Sequence, residues 1–512
     1  QIIMLSGRGL IAMIGLLFCG LSASGQKIVY SEPEKDDSRR LNFEIIGKLN
    51  GNFLIYKSVR NKNWIAILDN DMKQIGRAEQ DYLPDNDKVL NVDFFAYPDF
   101  VYMIYQYRRK NIIHCAAAKI DANGNKIGEL IELDTTQLNF GADNRIYSVV
   151  SSEDKSKIMV FKINSKNKKL YMITTMLMDQ QLNLIKKSRL ALEMEDRDDH
   201  LGEFQLDNDG DLVFSKFERI NNETVSNAFF VVKYAQADSF AMRQLQSEKI
   251  YFDEFKIKPD NYNKRYFITS FYYKQKRGNT EGYYFYIWDK VKGQPVREDT
   301  VSFSENLRRE ARGNATIKTA FNDHFIRNLI MRRDGGFVIA SESFYTTSRG
   351  VGWNRWNYMY GSPFMMRPGD YYYYSPYYNG LGPRSWYDNN QNVRYQADNI
   401  VITSFNANGQ KEWNSVITKE QYDDQGEDRL SYQIMNTGGE IHFIFNNPER
   451  KALLLNDFSL LPDGKIERNP TMKNLERGYE FMPRYAKQVG ARQMIIPCLY
   501  RNYICFAKLE YN

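Results

Sequence analysis

Carboxylates at alternate positions are the first chemistry-bearing pattern in this chain. Asp207-Asn208-Asp209-Gly210-Asp211, with Glu218 in the twelfth place, has the oxygen spacing of a calcium loop. Leu212 stands where such a loop needs its glycine, and Val213 and Phe214 continue as a strand, so the segment reads as a polar hairpin turn. A second acidic cluster, Glu193, Glu195, Asp196, Asp198, Asp199 and His200, reads as a solvated link. The four histidines, His114, His200, His324 and His442, are scattered without zinc-ligand spacing. His114 and His442 fall in strand-like runs and read as satisfied strand residues. There is no Gly-x-Ser-x-Gly elbow, and a glycosidase-type carboxylate pair would have to be assembled in space. No catalytic residue, metal ligand or cofactor is assigned on sequence.

The stretch with the strongest binding chemistry is 346–397. It holds three of the six tryptophans and ten tyrosines, and its cations are all arginine. Trp353, Arg355, Trp356, Tyr358, Tyr360, Tyr371, Tyr372, Tyr373, Tyr374 and Trp386 are the candidate binding residues, because Tyr, Trp and Arg combine a large flat surface with a polar end. Gly and Pro punctuate the stretch and exclude a helix interior or a long strand. It reads as an insertion that folds over its own scaffold or docks a partner.

The rest of the chain supplies the scaffold. A net charge of +6 over 512 residues is mild and does not suggest a nucleic-acid binder. Arg8 followed by the apolar run Leu10–Leu21 and Ala23-Ser24-Gly25 reads as a signal peptide over residues 1–25, with a mature domain over 26–512 and no later membrane span. Cys19 is a poor lipidation site because Phe18 precedes it. Cys115, Cys498 and Cys505 are too few for a disulfide framework. Cys498 and Cys505 face each other across a hairpin at Arg501-Asn502, at a hydrogen-bonded position where a bridge is possible but strained.

Two series of turn signals run along the chain at a pitch of about 55 residues. One is Gly51, Pro98, Asp154, Asp209, Tyr262, Gly335, Gly438 and Gly490; the other is Asp71, Gly124, Gln180, Ala237, Gly293, Gly409 and Gly464. Short runs rich in Val, Ile, Phe and Tyr lie between them, about four to a period. The pattern predicts an all-β fold: a single β-propeller of eight four-stranded blades, with seven as the alternative. Lys27–Ser31 would supply the last outer strand and close the ring, and 346–397 would be inserted in the sixth blade. At Asn408-Gly409-Gln410-Lys411-Glu412-Trp413, with weaker echoes at Asp121-Ala122-Asn123-Gly124 and Pro462-Asp463-Gly464, the chain resembles secreted bacterial β-propellers of the quinoprotein-like and WD40-like kind. Only one blade carries the tryptophan, so the resemblance implies neither a quinone nor any other cofactor.

In such a fold the insertion shares a face with basic loops, Arg108-Arg109-Lys110, Lys166, Lys168, Lys169, Lys274, Lys276 and Arg277, and with the link bearing Arg308, Arg309 and Arg312. The expectation is an exported, non-enzymatic interaction scaffold in the periplasm or at the outer-membrane periphery. Its partner would be an envelope protein or a glycan, and it would be a monomer or part of a hetero-complex. The alternative is a glycan-binding protein, or a polysaccharide hydrolase or lyase with its site in the central channel.

Overall fold

The computed structural model describes residues 26–33, 41–59, 62–85, 89–138, 145–167, 169–194, 199–220, 224–245, 249–276, 278–313, 320–348, 371–372, 393–424, 426–449, 452–472, 478–501 and 503–511. The signal-peptide region and Cys19 lie outside them. Among the described residues there is one α-helix, Glu305–Arg312, and no helix long and apolar enough to cross a membrane. Ser304 caps this helix, its side chain accepting from the Leu307 amide.

Everything else is antiparallel sheet, strand following strand in chain order. The first sheet runs Asn42–Leu49, Asn52–Val59, Lys62–Leu68, Gln74–Glu79, and the second Val89–Ala96, Val101–Arg109, Ile112–Ile120, Lys126–Gln137. The third runs Tyr147–Ser151, Lys157–Asn167, Leu170–Asp179, Leu184–Glu193. Two four-strand groups follow, Asp199–Leu206 to Ala241–Gln244 and Tyr251–Asp260 to Gln294–Ser302, joined by one Val225–Phe252 pairing. Next come His324–Met331, Phe337–Ser348, Val393–Phe405, Lys411–Asp423, then Tyr432–Asn436, Ile441–Glu449, Ala452–Leu460, Ile466–Arg468. In the last sheet Lys27–Tyr30 pairs with Tyr503–Glu510, which pairs with Gln493–Tyr500. This is an all-β architecture consistent with a propeller.

The turn residues explain the repeat. Asp69, Asp121, Asp179 and Asn406 each stand at the third-to-fourth hairpin, and the side-chain oxygen of each accepts from the amides two and four residues on, at 2.8–3.0 Å. A short polar side chain mimicking a backbone turn is favoured for this geometry. Both predicted turn series fall between paired strands except at Gly490, which ends the strand Lys487–Gly490 and pairs with Gln493.

Middle strands are buried along nearly their whole length, as in Asn52–Val59, whereas fourth strands such as Leu184–Glu193 alternate toward solvent. That pattern follows from stacking sheet on sheet. Ile46, Leu54 and Ile65 of the first sheet pack with Phe94, Met103 and Ala118 of the second. Corresponding clusters join each later sheet to the next, and Phe43, Phe53 and Trp64 pack with Ile495, Ile504 and Phe506, bringing the last sheet back onto the first.

The two ends of the aromatic stretch are paired with each other. Ser348 pairs with Val393 and Thr346 with Tyr395, so both ends of 346–397 are sheet. Tyr371–Tyr372 form a two-residue strand whose backbone pairs with Asn164 and Ile163 of the third sheet. Cys498 and Cys505 are register partners, as expected, and are free buried thiols whose sulfurs approach to 2.9 Å.

Candidate functional site

The first strands of five sheets carry an irregularity, and three of these position charge. Register shifts occur at Ile45/Gly47, Val89/Asn91, Gly202/Gln205, Phe252/Phe255 and Ile326/Asn328. Such bulges re-aim side chains and collect beside functional sites. Glu203, Glu254 and Arg327 fall inside three of them, and Glu203 takes a left-handed backbone at φ 55°. First strands of neighbouring sheets touch one another, so these charges meet across sheets. The Lys256 ammonium lies 3.1 Å from Glu203 and 2.6 Å from Glu254.

Glu44 and Asp93 are the most perturbed carboxyls of this inner ring. Both are half-buried. Burial pushes Glu44 well above the usual carboxylate range; Lys487 opposes the shift and the Asp93 charge adds to it. Lys487 is displaced downward by the same burial, so the pair is drawn toward its neutral forms. Its ammonium donates to the Ile45 and Ile46 carbonyls at 3.0 and 3.1 Å, anchoring the last sheet to the first. Burial also raises Asp93 to about 6, against the hydrogen bond from Asn91 Nδ2 at 2.6 Å and the Arg145 charge. Two coupled carboxyls whose proton affinities are raised to different degrees are candidates for an acid and a base.

A second network binds the two sheets that begin at His324 and Tyr432. Glu342 is fully buried, with Lys419 Nζ at 2.8 Å, Arg327 Nε at 3.3 Å and the Ser431 hydroxyl donating at 2.7 Å. Burial alone would raise Glu342, but Lys419 and Arg327 outweigh it and hold the carboxyl below its ordinary value. Lys419 also donates to the Ala397 carbonyl and to Gln421. The Glu342 carboxyl draws its partners from these two sheets, as in a structural network.

The calcium-like turn is answered by a lysine. Asp207, Asp209 and Asp211 direct one oxygen each at Lys290 Nζ, at 2.5, 2.6 and 2.8 Å. The Tyr266 hydroxyl donates to Asp207 at 2.8 Å. The ammonium stands where a cation would, and the segment is a hairpin turn as expected. Replacing Lys290 with methionine is expected to destabilise the fold by about 3 kcal/mol, because the buried Asp207 and Asp211 lose the ammonium between them while Asp209 keeps Lys264 at 2.9 Å. Millimolar calcium should recover part of the lost melting temperature in that variant and change nothing in the wild type; thermal scans with and without calcium check both.

The histidines do not form a catalytic triad. His442 Nδ1 lies 3.0 Å from Asp457 and 3.4 Å from Ser459. Carboxylate and hydroxyl therefore address the same ring nitrogen, whereas base and orienting carboxylate must use opposite ones. His114 pairs with Glu132 at 2.8 Å and stacks on Tyr107. No cluster of three or more metal-capable side chains occurs among the described residues.

Of the sequence-selected binding residues, Trp353, Arg355, Trp356, Tyr358, Tyr360, Tyr373, Tyr374 and Trp386 lie outside the described residues. Tyr371 and Tyr372 are placed by backbone pairing with the third sheet. Glu44, Asp93, Glu203, Glu254 and Arg327 were missed. The available signal was a charge inside an otherwise apolar first run, recurring roughly once per repeat.

No protein-family profile matches the chain, and no curated protein does. Solved structures resemble it at low identity. A chain from a structural and mechanistic analysis of two prolyl endopeptidases aligns over 91% of this chain and 55% of its own length, at 8% identity and a TM-score of 0.42. The β-propeller domain of the Trilobed protease from Pyrococcus furiosus aligns over 83% of this chain and 95% of that one, at 9% identity and TM-score 0.36. The tricorn protease aligns over 88% and 36%, at 9% and 0.37. The chain spans just over half the length of the prolyl peptidases it resembles. These neighbours include β-propeller proteins, in keeping with the sheet architecture, and at such identities they speak to fold alone. The expectation of a non-enzymatic scaffold finds no counterpart among these neighbours, which are peptidases and, elsewhere among them, the apocarotenoid oxygenase of Synechocystis; the scaffold reading is dropped.

Proposed function

We propose that the chain is an eight-bladed β-propeller enzyme that hydrolyses a polysaccharide by acid–base chemistry in its central channel. The observation that carries this reading is the Glu44–Asp93 pair on adjacent first strands, with both carboxyls displaced upward by burial. Glu44, protonated, gives its proton to the departing glycosidic oxygen. Asp93, ionised above pH about 6, takes a proton from the attacking water. Water is thereby added across the broken C–O bond, and solvent resets the two carboxyls. Lys487 sets how firmly Glu44 keeps its proton. In this proposal the protein is exported by its N-terminal apolar stretch, and Trp353 and Trp356 offer ring faces to sugars.

Release of reducing ends from a panel of neutral and acidic polysaccharides tests the proposal. The wild type should release them from at least one member. Glu44→Gln should lower the rate by about 100-fold or more while melting like the wild type. Absence of release across the panel, or an undiminished rate in Glu44→Gln, would sink it.

A further inference from the structure

The last sheet joins strands from distant parts of the chain. Lys27–Tyr30 pairs with Tyr503–Glu510. Just beyond that pairing the Ser31 amide donates to the Phe506 carbonyl at 2.8 Å, and the Phe506 amide donates to the Ser31 hydroxyl at 3.0 Å. Beside this contact sit two cysteines. Cys498 and Cys505 are register partners on Gln493–Tyr500 and Tyr503–Glu510, and both are fully buried. They share an apolar cluster with Phe481, Met494 and Leu509. Tyr30 of the closing strand packs against that cluster, stacked on Tyr479 with ring centroids 4.2 Å apart.

Their geometry is that of a pair a bond can join. Register partners in antiparallel strands have Cα atoms about 4.5–5.5 Å apart, inside the span of about 4.4–6.8 Å that a disulfide crosses. Directly opposite side chains leave the sheet on one face, and the two sulfurs stand 2.9 Å apart. The cysteines are 7 positions apart in sequence, so they meet once their own hairpin forms, without the rest of the ring. The closed sheet is a poor place for thiol chemistry. Burial pushes the Cys498 thiol well above its ordinary value, and Cys505 adds to the shift, whereas exchange runs through the thiolate. Reagents in solution also have no access to sulfurs at zero exposure. Chemistry at this pair therefore belongs to the hairpin before it is covered.

We propose that Cys498 and Cys505 form a disulfide, made in the open hairpin before Lys27–Tyr30 docks and then sealed by it. The oxidant is a low-molecular-weight disulfide of the glutathione type. The thiolate of one cysteine attacks the oxidant's sulfur–sulfur bond and releases one thiol. The thiolate of the other cysteine attacks the protein sulfur of the mixed disulfide and releases the second thiol. The two protons and two electrons lost by the cysteines leave with the two thiols, and one Sγ–Sγ bond remains. That bond fixes the register of the hairpin on which the closing strand assembles. Cys115, buried in the second sheet within a separate cluster, stays a thiol.

Tryptic mapping of the full chain, refolded with glutathione disulfide and alkylated in denaturant before digestion, reads the bond. Cleavage after Arg492, Arg501 and Lys508 places the two cysteines on peptides 493–501 and 502–508. These should appear joined, lighter than their sum by two hydrogens, while Cys115 appears alkylated. A chain folded reduced and then given the same oxidant should form the joined peptide at least about tenfold more slowly than the refolding chain. Once made, the bond should resist dithiothreitol in buffer and break in urea. Cys115→Ser and Glu44→Gln should each form it to the wild-type extent, which separates it from the channel chemistry. Two separately alkylated peptides after refolding, glutathione retained on either cysteine, or a link to Cys19 or Cys115 would overturn the assignment. Equal rates in the folded and refolding chains would overturn the order of bond formation and strand docking.

Discussion

Replacing Glu342 by alanine is expected to cost the fold about 3–5 kcal/mol, the range for breaking a buried ion pair from one side. The loss comes less from the missing attraction than from what remains. Lys419 is fully buried and its ammonium then keeps the Ala397 carbonyl and Gln421, at 2.8 and 2.7 Å, with the Asp398 charge nearby. Arg327 also loses its carboxylate, 3.3 Å away. Because Glu342 is held below its ordinary value, its contribution is complete above the unfolded carboxylate range and disappears as pH falls through the folded value. The wild type should therefore approach the alanine variant in stability only at strongly acidic pH. A double replacement, Glu342→Leu with Lys419→Met, should recover much of the loss, since an apolar pair of similar volume removes both the charge and the need for it. Urea midpoints of the three proteins check this. A single variant that melts like the wild type would show that water reaches the network.

Gly464→Ala should cost about 2–4 kcal/mol, combining left-handed backbone strain with overpacking. Gly464 has φ +87°, and a Cβ built there would lie 2.4 Å from the Trp413 ring. Trp413 belongs to the fourth strand of the preceding sheet, so its ring is the floor on which the next sheet's turn rests. The large indole cannot move aside without disturbing Phe443, Ile417 and Leu460 in the same cluster. Gly51→Ala is the matched control. Its φ is +86° and nothing lies within 4 Å of the new Cβ, so it should cost only the backbone strain, about 1–2 kcal/mol. Equal losses at the two sites would mean that the tryptophan contact contributes nothing.

The repeat was readable because each turn imposes a local chemical demand. A left-handed residue and a short polar side chain serve several of the third-to-fourth hairpins. Asp121 with Gly124 and Asn406 with Gly409 meet that demand in plain view. The pairing of Lys27–Tyr30 with Tyr503–Glu510 was foreseeable because the last period lacks an outer strand. The site was harder. Glu44 lies between Phe43 and Ile45 and reads as the solvent face of an edge strand, and only the ring of neighbouring first strands makes it an enclosed group. The bulges that turn Glu203, Glu254 and Arg327 leave no mark in hydrophobic periodicity, because one extra residue merely blurs the alternation. Lys290 answers the Asp207 turn from far along the chain, beyond the reach of any local rule. The aromatic stretch drew attention through composition, which reports the binding capacity of side chains and not where the strands beside them end.

The protonation of Asp93 is the sharpest single measurement. Carboxyl carbon NMR of aspartate-labelled protein, assigned by difference against Asp93→Asn, follows it directly. A folded value raised above the ordinary one near 4 means that stability attributable to this group declines as pH climbs from about 4 to about 6, and that Asp93→Asn loses this decline. The channel site predicts an Asp93 midpoint at about 6. A midpoint near 4 would contradict it.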